Sequence, residues 1–294
     1  MKIISAQPDS TYFLWQLKVQ ISNFRELGIE KDCIIVVGHK GRVKREWEEF
    51  ADQTDASVVF IRDKRMDLSY VSTIRPHILK YVDIWGEYDS LYIDSDILLN
   101  RHLNLSGDKV LLSNTDSYLS ATYIKSKSNS LFEKMCAIVG IDTKVVESKE
   151  RQSGGAQYYF PKGKIDLAFW FKVELDSLRL FQLMHVTKTV YSPEHPIQAW
   201  TADMWAILWN LWLLDIDTEI SKELDFCWPM EPLEKLNEKP IFHLAGITEK
   251  DRDTHFFKGD FTEKSPFGCK LNAVEGLCYN RYIDQIRVAE KMFK

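Results

Sequence analysis

The first third of the chain alternates short apolar runs with longer segments in which apolar residues recur every three or four positions. Three runs have the length and continuous apolar character of buried strands: "KIISA" (2–6), "CIIVVG" (33–38) and "SVVFI" (57–61). Two more follow, "SLYID" (90–94) and "KVLLS" (109–113). Because helical patterns separate the runs, we expect crossover connections, parallel strands and an α/β fold.

Helical periodicity marks several segments between and after these runs. The predicted helices cover 10–27, 70–85, 165–185, 199–214 and 279–294. Gly28 is the predicted stop of the first helix. The tryptophan-rich stretch 199–214 is too short to span a bilayer comfortably and carries Asp203, so we expect a buried helix there.

Composition and charge are those of a folded, acidic protein. Of the 294 residues, 45% are hydrophobic and 28% charged, and the formal net charge is −5. This charge gives no general attraction to nucleic acid or acidic membranes. The start, "MKIISAQPDS", lacks the apolar core of a signal peptide, and the five cysteines are widely spaced without a C-x-x-C pair. We therefore expect a cytoplasmic protein with neither a disulfide scaffold nor a membrane span.

Two carboxylates end the apolar run in "LYIDSDILLN" (91–100). Asp94 and Asp96 repel each other when both are ionised unless a cation neutralises them. A solvated loop fits poorly, because another apolar trio follows at 97–99. A divalent metal fits better, since hard cations take carboxylate oxygens and share their remaining positions with substrate phosphates. Such a site needs a further ligand and a phosphate partner elsewhere in the chain.

Both are available near the C-terminus and in a glycine-containing segment. The segment "FHLAG…FKG" holds His243, Gly246 and Lys258; a structural histidine and an exposed lysine are the plainer interpretations. An imidazole added to carboxylates shifts preference from Mg²⁺ toward Mn²⁺. In "SGGAQYYF" (153–160) two glycines either allow close approach of a ligand or form a plain tight turn, and Gln157 offers a donor and an acceptor to a sugar hydroxyl.

Taken together, four segments resemble glycosyltransferases of the GT-A fold. They are "YIDSDILL", the DxD motif; "SGGAQYYF", similar to the donor-sugar segment; "TADMWAILWN", similar to the acidic acceptor-side helix; and "FHLAG…FKG", similar to the His-x-x-Gly…Lys motif of glycogenin and galactosyltransferase-like families. The segment "QPDSTYFLWQLKVQISNF" adds a looser likeness to plant hydroxyproline arabinosyltransferases and bacteriophage glycosyltransferases. The resemblance implies an α/β GT-A fold, a Rossmann-like mixed sheet flanked by helices, with a smaller acceptor-side lobe.

The resemblance also implies a set of site residues. The metal ligands are Asp94, Asp96 and His243, with Mn²⁺ or Mg²⁺ as the ion. The donor-binding residues are Ser5, Ala6, Gln7, Arg75, Asp94, Ser95, Gly154, Gly155, Gly246 and Lys258. The catalytic candidates are Asp203 and Gln157, and the acceptor-stacking candidates are Trp200 and Trp205.

The implied reaction moves a hexosyl or pentosyl group from a nucleotide diphosphate sugar, with a UDP-sugar as the leading donor, to a hydroxyl acceptor. Retention of the anomeric configuration is expected because the similar families retain it. The acceptor is a glycan or a lipid-linked sugar, or, following the bacteriophage likeness, a hydroxymethylated base in DNA. The expected layout is one GT-A domain over 1–294, with a nucleotide-sugar-binding half (1–115), an acceptor-side half (116–262) and a helical tail (263–294).

Two other function classes stay open from the sequence. A haloacid dehalogenase-type phosphatase also places Asp-x-Asp after a buried strand, but usually near the start of the chain and with Thr or Val where Leu98 stands here. A non-catalytic nucleotide-sugar-binding protein would keep the fold without turnover.

Overall fold

A computed structural model describes residues 1–188, 190–191 and 194–294. Its strands are β1 (Lys2–Pro8), β2 (Cys33–His39), β3 (Ser57–Arg62), β4 (Ser90–Tyr92), β5 (Ile97–Leu99), β6 (Val110–Asn114), β7 (Gly154–Phe160), β8 (Thr218–Ile220), β9 (Phe226–Cys227) and β10 (Ile241–His243). Its α-helices are α1 (Thr11–Glu26), α2 (Arg45–Asp52), α3 (Ile74–Leu79), α4 (Asp116–Leu119), α5 (Ala121–Lys125), α6 (Asn129–Val139), α7 (Thr143–Ser148), α8 (Leu167–Thr187), α9 (Ala202–Leu213), α10 (Lys235–Glu238) and α11 (Tyr279–Met292).

The long predicted elements are present with small shifts at their ends. The five predicted strands correspond to β1, β2, β3, β4 and β6, and four of the predicted helices correspond to α1, α8, α9 and α11. The helix predicted over 70–85 is shorter than expected. It consists of a 3₁₀ turn, Val71–Thr73, and α3, after which the backbone tightens into i→i+3 hydrogen bonds from Tyr81 and Val82.

The described chain divides into two compact units, each made of separate chain segments. Unit 1 comprises Met1, Asp63–Tyr92 and Ser106–Ser221, and unit 2 comprises Lys2–Arg62, Ile93–Leu105 and Lys222–Lys294. The expected division at 115 and 262 stays a prediction.

Unit 2 contains two groups of paired strands. In the first, β1, β2 and β3 are parallel and lie in the order β3-β2-β1. The side chains of β2 are almost all buried, as the continuous apolar run predicted. In the second, β10 pairs with β5 antiparallel and with β9 parallel. Helix α1 packs against α11, where the side chains of Trp15 and Tyr282 are almost completely buried.

Unit 1 combines mixed strand pairing with a tryptophan-rich helical core. Strand β7 pairs antiparallel with β4 and β6, and β6 pairs parallel with β8. Helix α8 begins at its N-cap Asp166, whose side chain accepts a hydrogen bond from the Phe169 amide at 2.8 Å. It packs against α9, which is buried along almost its whole length. The predicted α/β class, with mixed sheet pairing and flanking helices, is confirmed.

The described part of the chain contains no candidate for a membrane-spanning helix. None of the helices there combines the length and the apolar character that crossing a bilayer requires.

A buried carboxylate in unit 2 makes the stability of the fold pH-dependent. Glu30 accepts hydrogen bonds from Arg25 Nε (2.5 Å), Arg25 Nη2 (2.6 Å), Thr54 Oγ1 (2.7 Å) and the Asp55 amide (2.9 Å). Burial raises the pKa of Glu30, but these donors outweigh it and the pKa lies below its usual value. The carboxylate therefore contributes stability above the unfolded-state pKa of about 4.3, and this contribution is lost as the pH falls through the folded-state pKa.

We predict that Glu30→Gln lowers the free energy of unfolding by about 1–3 kcal/mol at pH 7, because a charged acceptor is lost. Urea unfolding from pH 7 to pH 3 should show the difference from the wild type shrinking as the pH drops below about 4. Glu48→Gln, at an exposed position, is the control and should stay within about 0.5 kcal/mol of the wild type. A difference that is constant with pH would contradict the assignment.

Candidate active site

The two carboxylates of the DxD motif and His243 converge because β5 pairs with β10. The antiparallel register places His243 opposite Ile97, the residue that follows Asp96. The Leu244 amide also donates to the Asp96 carbonyl oxygen at 3.1 Å. As a result His243 Nε2 lies 3.4 Å from Asp96 Oδ1 and 3.8 Å from Asp94 Oδ2.

These three side chains form a possible metal site within unit 2. Each offers one ligand atom, and these atoms all lie within 4.8 Å of one another. Two carboxylate oxygens and one imidazole nitrogen form a donor set that suits Mn²⁺. The same set binds Mg²⁺ less well, because Mg²⁺ prefers oxygen ligands. The residues present therefore fit a divalent cation.

Lys258 brings a positive charge to the same carboxylates. Its ammonium group donates to Asp96 Oδ2. Burial raises the pKa of Asp96, but the Lys258 and His243 side chains outweigh it and hold the pKa well below its usual range. Burial lowers the pKa of Lys258, and the Asp96 carboxylate in turn raises it above its usual value. Both groups are therefore charged at neutral pH.

A short 3₁₀ segment, Lys258–Phe261, carries this lysine. The indole of Trp15, on α1, donates to the Phe261 carbonyl oxygen at 2.9 Å. The side chains of Phe256 and Phe261 lie edge-on to the same indole, each with 6.4 Å between ring centroids. These contacts hold the segment that carries Lys258 against α1.

Gly246, in the turn after β10, has a conformation that favours glycine. Its φ is +94°, and an added Cβ would lie 3.4 Å from Trp228 Cε3. The structure thus requires a glycine here for the path of the backbone, and its predicted role toward a diphosphate stays a prediction.

The residues predicted to hold the nucleoside lie along β1 and are deeply buried. Ser5, Ala6 and Gln7 are at most 3% exposed. Within the described residues, the Ser5 hydroxyl and both polar atoms of the Gln7 amide have no hydrogen-bond partner. Buried polar groups without partners are costly, so these atoms are candidates for ligand contacts. Ser95, by contrast, is 2% exposed and its hydroxyl donates to Gln16 Oε1 at 2.9 Å.

In unit 1, Asp203 is held by two side chains that lie far away in sequence. The Tyr70 hydroxyl lies 2.7 Å from Asp203 Oδ1 and 2.6 Å from the Trp200 carbonyl oxygen. Arg75 Nη1 donates to Asp203 Oδ2 at 3.3 Å. Burial, and then the Asp203 charge, raise the pKa of Tyr70 well above its usual value, so the phenol stays protonated. The predicted phosphate contact of Arg75 is untested, and the contact seen here is with Asp203.

The glycine-containing strand β7 packs tightly on its neighbours. An added Cβ on Gly154 would lie 2.5 Å from the Ser113 carbonyl oxygen, and one on Gly155 would lie 2.6 Å from the Tyr158 hydroxyl oxygen. The register between β6 and β7 shifts next to Ser113, where Ala156 has a φ of 70°. Gln157 is fully buried there, and its Oε1 accepts a hydrogen bond from the Ser113 hydroxyl.

The two candidate acceptor tryptophans have different surroundings. Trp200 is 58% exposed, and the centroids of its ring and of the Tyr118 ring are 6.1 Å apart. Trp205 is fully buried against Trp209, and its indole donates to Thr201 Oγ1 at 2.8 Å. The structure therefore gives Trp205 a packing role and leaves Trp200 accessible.

Residues that the sequence interpretation did not single out also hold the candidate groups. Tyr70 lies in the loop before α3 and bonds Asp203, and no local pattern pointed to a contact across 133 positions. Gln20 lies on α1, and its amide donates to the Asp94 carbonyl oxygen at 2.7 Å. No signal for Gln20 was available, because a polar residue on a helix with one apolar face is ordinarily exposed.

Comparison with known proteins identifies the fold. No protein-family model matches the chain, and no curated protein matches it. Among solved structures, the bifunctional glycosyltransferase WbbM in its apo form aligns with 98% of this chain at a TM-score of 0.50 and 9% identity. This chain has the GT-A fold. It spans about half of WbbM, since 49% of that protein is covered.

Two further structures show a weaker likeness to this GT-A fold. The galactosyltransferase LgtC, in complex with donor and acceptor sugar analogs, is 12% identical over 97% of this chain and 95% of its own, with a TM-score of 0.47. The glycosyltransferase GlyE of Streptococcus pneumoniae TIGR4 is 11% identical over 99% of this chain and 62% of its own, with a TM-score of 0.46.

We predict that Gly154→Ala destabilises the protein by about 1–3 kcal/mol, because the added methyl group meets a backbone oxygen that cannot move independently of β6. Gly41→Ala is the control, since nothing lies within 4 Å of its added Cβ and its φ is ordinary. Thermal unfolding of both variants measures the difference. Equal stability of the two variants would mean that β7 is packed more loosely than described.

Proposed function

We propose that this chain is a metal-dependent glycosyltransferase that takes a nucleotide diphosphate sugar as donor. The observation that carries the proposal is the cluster in unit 2, where the ligand atoms of Asp94, Asp96 and His243 lie within 4.8 Å of one another and Lys258 contacts Asp96. A tightly clustered donor set with an adjacent ammonium group suits a cation and a diphosphate together. The likeness of fold to a protein described as a glycosyltransferase supports the same class.

In the proposed reaction the bond between the anomeric carbon and the diphosphate oxygen breaks, and its electron pair leaves with the diphosphate. The oxygen of the acceptor hydroxyl forms the new bond to the anomeric carbon, and its proton passes to the leaving diphosphate. A divalent cation, when bound, neutralises the charge that develops on that leaving group. Lys258 supplies a second positive charge, and such fixed charges are usually the largest catalytic contribution. Asp94, Asp96 and His243 would hold the cation, preferably Mn²⁺. Gly246 and Lys258 are the proposed diphosphate contacts.

The proposed nucleobase contacts are the unpaired polar atoms of β1. Gln7 offers one donor group and one acceptor atom, and Ser5 offers a hydroxyl. This combination matches the alternating donors and acceptors on the edge of uracil, so a UDP-sugar is the proposed donor. The proposed roles of Gln157 and Asp203 are contacts to the transferred sugar, and acceptance of the acceptor's proton is the alternative role of Asp203. The proposed role of Trp200 is stacking on the acceptor. We keep retention of configuration as the proposed stereochemistry.

A sugar hydroxyl is the acceptor that we propose. The net charge of −5 disfavours duplex DNA, whose binding depends on neutralising phosphates. A reducing cytoplasm is the proposed compartment, on the spacing of the five cysteines.

We predict that Asp96→Asn lowers Mn²⁺ affinity and nucleotide-sugar turnover by at least about 100-fold, because even residues that only support metal ligands are worth about 10–100-fold. Calorimetric titration with Mn²⁺ and release of free nucleotide from a panel of nucleotide sugars measure the two effects. Asp116→Asn, at an exposed position, is the matched control.

Full activity of Asp96→Asn in the presence of EDTA would end the metal assignment. Rapid hydrolysis of generic phosphate esters would favour a phosphatase instead. Nucleotide-sugar binding without turnover across a panel of acceptors would favour a binding protein.

We predict that Asp203→Asn lowers kcat by about 100-fold while leaving Mn²⁺ affinity unchanged, because asparagine keeps the shape and loses the charge. Steady-state kinetics with saturating Mn²⁺ measure the effect, and far-UV circular dichroism checks folding. Tyr70→Phe removes the phenol that bonds Asp203 and should lower kcat by a smaller factor. An unchanged kcat in Asp203→Asn would restrict this residue to a structural role.

A further inference from the structure

Helix α1 carries three buried primary amides, Gln16, Gln20 and Asn23, in a row among apolar neighbours. Their spacing of four and three residues places them one above the other on one face of the helix. They are 1%, 2% and 1% exposed, respectively. Burying an amide is unfavourable unless it is hydrogen-bonded, so a row of three marks a specific set of partners. We call these residues the amide ladder.

All three amides bond the segment that carries the DxD motif, residues 94–99. Gln16 Oε1 accepts from the Ser95 hydroxyl at 2.9 Å. Gln20 Nε2 donates to the carbonyl oxygens of Asp94 (2.7 Å) and Ile97 (3.3 Å). Asn23 Oδ1 accepts from the Leu99 amide at 2.8 Å, and Asn23 Nδ2 donates to the Leu99 carbonyl oxygen at 3.2 Å.

These bonds substitute for a neighbouring strand. Strand β5 has three residues and pairs with β10, while the Leu99 amide and carbonyl groups are taken up by Asn23. About one turn of helix further back, Gln20 joins the carbonyl groups of Asp94 and Ile97, which lie on either side of Ser95 and Asp96. The turn that carries both carboxylates is therefore bonded to helix α1 by three side chains, Gln16, Gln20 and Asn23.

We infer that the amide ladder positions the carboxylates of Asp94 and Asp96 within coordination distance of His243. The inference rests on the proposed function, because the ion to be coordinated is the one proposed above. Gln16, Gln20 and Asn23 are positioning residues, since the hydrogen bonds described above join them to the 94–99 segment and not to the ligand atoms. Groups that orient metal ligands in this way typically contribute about 10–100-fold to metal affinity.

The test compares two identical substitutions at equally buried amides. Gln20→Met keeps the approximate side-chain volume and removes both bonds to the 94–99 segment. Gln285→Met is the matched control, because Gln285 is also fully buried in unit 2 but donates to Ser22 Oγ at 2.9 Å, away from the motif. Mn²⁺ affinity, measured by electron paramagnetic resonance of the free ion, should fall about 10–100-fold in Gln20→Met. It should stay within about twofold of the wild type in Gln285→Met, with both values corrected for the folded fraction.

Equal Mn²⁺ affinities in the two variants would overturn the inference and leave the ladder a packing feature. Gln16→Met, which removes only the bond to Ser95, takes the place of Gln20→Met if that variant does not fold. If the wild type does not bind Mn²⁺, the proposed function fails. Hydrogen exchange then tests separately whether the amide ladder positions the 94–99 segment. Faster exchange of the 94–99 amides in Gln20→Met than in Gln285→Met supports positioning of the segment, and equal exchange overturns it.

Discussion

Burial of the Asp96 carboxylate, two residues from a second carboxylate at Asp94, is the constraint around which the site in unit 2 is organised. Asp94 and Asp96 follow a buried strand, where water cannot screen their charges fully. The Lys258 ammonium group contacts Asp96, and the His243 imidazole lies within 4 Å of both carboxylates. Helix α1 forms hydrogen bonds to the backbone of the turn. Each of these groups comes from a different part of the sequence, so the charges of the site are balanced only when unit 2 is folded.

In unit 1, the buried carboxylate of Asp203 is also held by groups from distant parts of the sequence. Asp203 is 4% exposed and is held by the Tyr70 phenol and the Arg75 guanidinium group. Both partners lie more than 120 residues away in the sequence. A carboxylate fixed on both oxygens keeps one orientation, which is the property that a group contacting a sugar needs.

The sequence predicted the elements whose patterns are local and long. The runs at 2–6, 33–38 and 57–61 became parallel strands because a continuous apolar run has few alternatives in a buried sheet. The helix over 70–85 was predicted too long. The short helices α4, α5 and α7 were not predicted, because elements of one or two turns carry too few residues to show a period. The 11-residue helix α6 was also missed.

The candidate site divides along the same line. Asp94, Asp96 and His243 could be proposed together because the resemblance to GT-A glycosyltransferases implies this ligand set, and the structure brings them together. The pairing of Arg75 with Asp203 could not be foreseen, since it depends on how distant segments pack. The amide ladder could not be foreseen either, because polar residues at helical spacing are ordinarily exposed, and their burial depends on how α1 packs.

The discontinuous build of unit 2 has a consequence for synthesis on the ribosome. Its segments end at residue 62, run from 93 to 105 and resume at 222, so the DxD motif emerges well before His243 and Lys258. A nascent chain that stops short of the last segment holds both acids without the His243 side chain and without the Lys258 ammonium group that contacts Asp96. The site can therefore be completed only late in translation. A ribosome that stalls before the final quarter of the chain leaves unit 2 without its last segment, Lys222–Lys294.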